Sequence, residues 1–220
     1  MSATSLTQIL ERSSELEAAI WSALPDPYRL AMPSPRHDAS LAAAMMAVEE
    51  GQACRLLISQ GMHTTGIAVT RMQFEAICRS MWLLYAATDD EIGKATATLT
   101  AEGAKEANDL PMVSKMIEAL PGKAPPLAIQ MLGNFKEANL KALHQFVHAG
   151  FQPLKRTLDG YSEELVVGIL RNCNGLSLTT GAMLAVLAGS QLAMGAIARL
   201  QVQFADSLPS SAPAGPASGP

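Results

Sequence analysis

Two groups of residues carry side chains whose types and spacing could do chemistry. The stretch HQFVHAG, residues 144–150, sets His144 and His148 four apart ahead of a glycine, and they are two of the chain's four histidines. Imidazoles at i and i+4 share one helix face. There they can ligate a metal, exchange protons near neutral pH or, in a last turn, satisfy free carbonyls. The helical zinc motif has a glutamate directly after its first histidine; here that position is Gln145, and His63 would have to complete the shell. No metal and no cofactor is therefore expected.

The second group lies on RMQFEAICRSMWLLYA, where Arg71, Glu75 and Arg79 recur at i, i+4 and i+8 with Met72, Trp82 and Leu83 at their shoulders. Charges bordered by bulky apolar side chains are partly buried and need partners. Glu75 supplies one to each arginine as i,i+4 pairs, and one excess positive charge remains. A planar, permanently charged guanidinium suits a small anionic ligand or a carboxylate of a partner protein. The bland alternative is an ion-pair stripe that locks helices together, beside a solvated helix end. The two groups make one pocket only if the fold sets them side by side, and the expected link is a hydrogen bond from His148 to Glu75.

The elements that must position these residues are helices. Hydrophobic residues make up 49 % of the 220, aromatics only 5 %, and Ala, Leu and Met dominate, side chains that lose little rotamer freedom in a helix. Apolar spacing predicts a first helix from Ser5 to Leu24, a proline-rich loop over 25–37, a second helix capped by Asp38 and ending at Gln60 before Gly61, and a third from Thr64 or Thr65 to Ala87. Thr88 to Glu91 reads as a capping box opening a fourth, whose polar face is Glu91, Lys94, Glu102, Lys105 and Glu106. A short helix follows Asp109, a turn is expected over 126–132, and a helix from Asn134 reaches His148, with Gly150 and Pro153 as stops. The last helix runs from Ser162 to about Asp206, with a kink near 172–175. No run reads as a strand. The expectation is an all-α, single helical bundle of about six or seven helices over residues 1–206, with a long apolar C-terminal helix and a disordered Pro/Ala/Ser/Gly tail over 207–220.

Composition narrows the function classes. The formal net charge of −4 argues against a nucleic-acid footprint, although an RNA partner stays open below. Cys54, Cys78 and Cys173 are odd in number, form no CxxC and sit in apolar patterns, as reduced core residues of a cytoplasmic protein do. The N-terminal residues lack the basic and apolar regions of a signal peptide. Residues 172–198 carry no charge and are long enough to span a bilayer. Asn172, Asn174, Thr179, Thr180, Ser190 and Gln191 punctuate them, which favours a buried bundle helix and no membrane. With so few charges, apolar surface should remain after one bundle closes, pointing to a homodimer. Glycine-rich phosphate loops and nucleophile elbows are absent from the sequence.

RMQFEAICRSMWLLYA, followed later by ANLKALHQFVHAG, resembles uncharacterised bacterial helical proteins that carry an R…FEA…R…WL helix and a late L…FVHAG motif, over roughly residues 40–205. These are similar to the HEPN-like group, which includes RNA-cleaving toxins, phage-defence components and members that only bind. The resemblance implies a compact helical bundle, often dimeric, with Arg71, Glu75, Arg79 and His148 at the shared positions. It also implies a metal-independent ribonuclease as an alternative activity. HEPN ribonucleases place a histidine four to six residues after an arginine, whereas here Arg29 precedes His37 by eight and only Lys141 stands seven before His148. The reading is a binding module with ligand candidates Arg71, Glu75, Arg79, His144 and His148; a purely structural subunit is the third possibility.

Overall fold

The computed structural model describes residues 5–98, 100 and 110–209, and every regular element among them is helical. In chain order these are α1 (Leu6–Ala23), α2 (Pro35–Ser59), α3 (His63–Tyr85), α4 (Asp89–Ala95) and α5 (Val113–Glu118). The rod α6 runs without interruption through Pro126–Phe135, a π-turn at Lys136–Leu140 and Lys141–Val147. Then come α7 (Phe151–Asp159), α8 (Glu163–Leu187), α9 (Gln191–Gln203) and a closing 3-10 turn, Ala205–Ser207. Glu102, Lys105 and Glu106 of the expected fourth polar face lie outside the described residues.

The centre of the bundle is the antiparallel pair α2 and α3, with α8 across one side, α6 and α5 along α3, and α1 and α9 closing over α8. Small residues let α2 and α3 approach closely. Ser40 Oγ donates to Ser80 O at 2.9 Å and Ser80 Oγ donates back to Ser40 O at 2.9 Å, so two fully buried hydroxyls satisfy each other's helix. A Cβ on Gly66 would stand 2.8 Å from Ile58 Cγ1. Gln73 and Ser80, the polar residues of this face of α3, act as glue along the seam: both are completely buried. Gln73 Nε2 donates to Ser177 Oγ at 3.1 Å on α8. Larger side chains fill the flanks, with Phe74 stacked on Phe135 at 4.6 Å between ring centres and Trp82 enclosed by α4, α5 and α2.

Helix ends follow local chemistry, in places not where the sequence suggested. Thr88 and Glu91 form the expected capping box, with Thr88 N donating to Glu91 Oε2 at 2.7 Å. Helix α2 starts earlier than expected, because Ser34 rather than Asp38 accepts from His37 N and Pro35 fits the first helical position. Pro126 does the same for α6, which runs straight through Asn134. Pro153 falls in the first turn of α7, where its missing N–H is harmless, so it starts a helix rather than stopping one.

The single long C-terminal helix is in fact two. Gly189, at φ +62°, takes the left-handed position; its N–H donates to Val186 O at 2.9 Å and Ser190 N donates to Ala185 O at 3.1 Å, the paired bonds of a Schellman stop. Ser190 then caps α9, accepting from Ala193 N at 3.2 Å. No kink forms at 172–175; the Asn174 amide reaches sideways instead, its Nδ2 donating to Ser207 O at 2.9 Å. Among the described residues no helix is long and apolar enough to cross a membrane. Of the expected tail, Ser207 and Leu208 are buried against the bundle, and residues 210–220 lie outside the described residues.

The tightest point of the seam gives a test. A Cβ at Gly51 would stand 2.7 Å from Gln73 Nε2 and 3.1 Å from Ser177 Oγ, both held in place by hydrogen bonding. Gly51→Ala should therefore destabilise by about 1–3 kcal/mol through overpacking, against a helix-propensity gain of about 1 kcal/mol. Urea unfolding of the variant, with an unchanged slope and a lower midpoint, is the expected outcome.

Candidate functional site

Helix α3 presents Arg71 and Glu75 one turn apart on a half-buried stripe, and Arg71 Nε donates to Glu75 Oε1 at 2.7 Å. The last segment of α6 lies alongside. It sets His144 against the same guanidinium, whose Nη1 donates to His144 Nδ1. One turn on, the His148 ring packs on the His144 ring with centres 4.4 Å apart and planes tilted by 54°. Glu75, Arg71, His144 and His148 thus form one chain of contacts across two helices.

The expected bond from His148 to Glu75 is replaced by the one from Arg71 to His144. His148 is the C-cap of α6, at φ −109°, and Ala149 behind it takes a left-handed φ of 50° that turns the chain away from α3. His144 sits one turn earlier, where the two helices are still side by side. Arg79 continues the sequence stripe and is half-buried, but it takes no part in this chain of contacts. His63 stands at the start of α3, edge-on to Tyr161 at 5.2 Å, so it does not complete a ligand set with the histidine pair. Among the described residues no three His, Cys, Asp or Glu side chains gather in a way that would hold a metal ion.

The π-turn is the local device that aims α6. A π-turn holds one residue more than an α-turn, and its widened backbone leaves carbonyls in need of donors. Asn139 Nδ2 donates to Phe135 O at 3.2 Å, and Asn172 Nδ2 of α8 donates to Asn139 Oδ1 at 2.9 Å, pinning the turn. Phe135 before it and Leu143 and Phe146 after it all face the core.

Chemically, the cluster is a set of fixed donors. A guanidinium has no lone pair to offer, so His144 Nδ1 is the acceptor and its proton sits on Nε2. Nε2–H of His144 and the remaining N–H groups of Arg71 stay available to a ligand. Nearby, Lys136 of the π-turn and Glu75 act with opposite signs on the buried Cys78 thiol, which burial pushes up most.

Sequence reasoning missed Glu50. It lies on α2, and Glu75 and Glu49 both act on it electrostatically. Its Oε2 is buried without a hydrogen-bond partner among the described residues. Burial first, then Glu49 and Glu75, push its carboxyl up to about 7. The only signal in the sequence is its position beside Gly51 on an alanine-rich helix, which reads equally well as a solvated acid.

The comparisons bear on this set. A model of a family of unknown function, DUF6988, matches residues 44–210. The chain belongs to that family. The matched stretch holds Glu50, Arg71, Glu75, His144 and His148, whereas α1 lies before it. No curated protein and no solved structure matches the chain.

Glu50 yields a pH dependence. Its folded pKa, about 7, exceeds the ordinary value of 4.5, so the neutral carboxyl stabilises the fold at low pH and that contribution is lost as pH rises from 4.5 through 7. Glu50→Gln keeps the neutral shape at every pH. The variant should match wild type near pH 5 and exceed it by about 1–2 kcal/mol near pH 8, a figure discounted for partial solvent exposure. Denaturant melts of both proteins across that range check it; parallel curves would mean that Glu50 is solvated.

Proposed function

We propose that this chain is a helical binding module that seats a small anionic group, such as a phosphate or carboxylate, on Arg71, His144 and His148. The observation that carries the reading is the two-helix contact: Glu75 fixes Arg71, Arg71 fixes the His144 tautomer, and the His148 ring packs tilted beside it. Donors already fixed in place bind with little further loss of side-chain freedom. A guanidinium and an imidazole N–H on one edge match the oxygens of a phosphate or carboxylate. The resemblance of the Arg71 and His148 stretches to HEPN-like proteins supports a role for such a module in bacterial stress or phage defence, in the cytoplasm.

The same contact favours one second reading. An arginine paired with a histidine, here assembled from two helices rather than one short motif, supports metal-independent ribonuclease chemistry. Titration of inorganic phosphate, followed by imidazole NMR signals, separates the readings. The binding module requires His144 and His148 to shift saturably, with at least a tenfold loss of affinity in Arg71→Ala and none in Arg156→Ala. Cleavage of an RNA oligonucleotide in the presence of a chelator, abolished by His144→Ala, would move the assignment to the ribonuclease. Neither binding nor cleavage would leave the stripe as a structural tie.

A homodimer is part of the same reading. Helix α7 turns Phe151, Leu154 and Leu158 outward at 73 %, 62 % and 76 % exposure, spaced three and four apart on one face. A two-fold antiparallel pairing of this face sets Phe151 of one copy opposite Leu158 of the other around the two Leu154 side chains. Light scattering should show a dimer at micromolar concentration, and Leu158→Glu should give a folded monomer.

A further inference from the structure

A cavity of about 410 Å³ opens between the start of α3 and the end of α7. Ligand pockets run from about 300 to 1,000 Å³, so it has room for a small organic molecule. His63, Thr64 and Thr65, the first residues of α3, form one wall; Arg156 and Thr157 of α7, with Tyr161 beyond them, form the other. The two walls are fastened to each other. Thr64 Oγ1 and the Tyr161 hydroxyl are 2.6 Å apart, and the His63 and Tyr161 rings meet edge-on at 5.2 Å. Gly61 and Gly160, at φ +73° and +93°, make the tight turns at the rim.

Helix α7 faces this cavity the opposite way from an ordinary surface helix, which turns its apolar stripe inward. Phe151, Leu154 and Leu158 point to solvent, while Arg156 and Thr157 lie within about 60° of the buried Pro153 around the helix. The inward side of α7 therefore carries a guanidinium. It is Lys155 that pairs with the acid of this helix, Asp159, at 2.9 Å, and Arg156 forms no ion pair among the described residues. None of the residues lining the cavity is acidic, although the chain as a whole has a formal net charge of −4. Opposite Arg156, the Thr65 hydroxyl has no hydrogen-bond partner among the described residues, and no side chain caps the first turn of α3. The helix start would hold an anion only weakly by itself; the guanidinium across the cavity supplies a full charge.

We propose that this cavity is a second binding site of the chain, which takes an organic phosphate monoester, its phosphoryl group between Arg156 and Thr65 and its organic part against Met62 and Tyr161. The site is independent of the Arg71–His144 cluster, since His63 lies about 12 Å along α3 from Arg71. A planar carboxylate is satisfied by one guanidinium edge. A phosphoryl group spreads its charge over three oxygens in a tetrahedron, and here donors come from two sides, the guanidinium on α7 and the hydroxyl and free N–H groups on α3. The volume exceeds what a bare phosphate fills. Met62, which lines the cavity and is 56 % exposed, offers a thioether, and Tyr161 offers a ring. Both favour an aromatic or apolar body.

The test follows the His63 imidazole signal of the full chain by NMR while phenyl phosphate, inorganic phosphate or benzoate is added at constant pH. Phenyl phosphate should shift His63 saturably and bind about fivefold tighter than inorganic phosphate, a margin that Met62→Ala should remove. Benzoate should bind at least about tenfold more weakly than phenyl phosphate, and Arg156→Ala should cost phenyl phosphate about tenfold or more, the worth of a charge-assisted hydrogen bond. Arg156 and Met62 are exposed, so both variants should melt like wild type. Arg71→Ala should leave the His63 response unchanged, whatever happens at His144 and His148. A His63 signal that does not move, or that moves with the same affinity in Arg156→Ala, overturns the proposal. Benzoate matching phenyl phosphate would overturn the phosphoryl assignment, and loss of the His63 response in Arg71→Ala would overturn the independence of the two sites.

Discussion

The architecture depends on how closely α2 and α3 approach. Where Gly51, Gly66, Ser40 and Ser80 meet the facing helix, no larger side chain fits. The bulky side chains are displaced to the flanks, where Phe74, Trp82, Met116 and Leu132 build the core with the shorter helices. Close packing also brings backbone carbonyls and hydroxyls within reach of each other. A polar seam runs through an otherwise apolar interior, and Gln73 completes it by reaching α8. The surface stripe is a by-product of that seam, since α3 presents one edge to α8 and the opposite edge to solvent and α6.

Charge is scarce in this chain, and arginines carry much of the tertiary wiring. Arg36 donates to Leu83 O at 2.9 Å and Ala87 O at 2.8 Å, closing the C-terminal end of α3, and also pairs with Asp89. Arg12 does likewise for α9, donating to Gln203 O at 3.1 Å, pairing with Asp206 and lying 4.3 Å above the Phe204 ring. That contact holds Asp206 below the usual carboxylate range, with the hydrogen bond from Arg12 as the main cause. Against these two, Arg71 is unusual. Its bonds go to Glu75 and His144, side chains rather than helix-end carbonyls, which sets the cluster apart from ordinary helix capping.

Much of this was legible in the sequence, and the exceptions have physical reasons. Helix composition, the Thr88 box, the Gly61 stop and the Arg71–Glu75 pair all depend on neighbours within a turn or two, so spacing alone reveals them. The break at Gly189 was hidden because glycine and serine recur throughout that uncharged run, and only one glycine adopts the left-handed angle. Helix α7 was hidden by Pro153, whose effect depends on whether it falls at the start or the middle of a helix. The meeting of Arg71 with His144 is tertiary and depends on the phase of α6, which periodicity reads as regular. Glu50 was illegible because burial of a single acid leaves no pattern along the chain.

That phase has a consequence for chain length. The π-turn at Lys136–Leu140 accommodates one residue that a plain α-helix over the same span has no room for. Removing one residue from those five would convert the turn to α-geometry and leave both flanks of α6 where they are. Removing a residue after the turn would instead rotate everything beyond it by about 100°, one α-helical step. His144 would then leave Arg71 while the helix itself stayed intact. In this rod the loss of a single residue is neutral within Lys136–Leu140 and ruinous just beyond it.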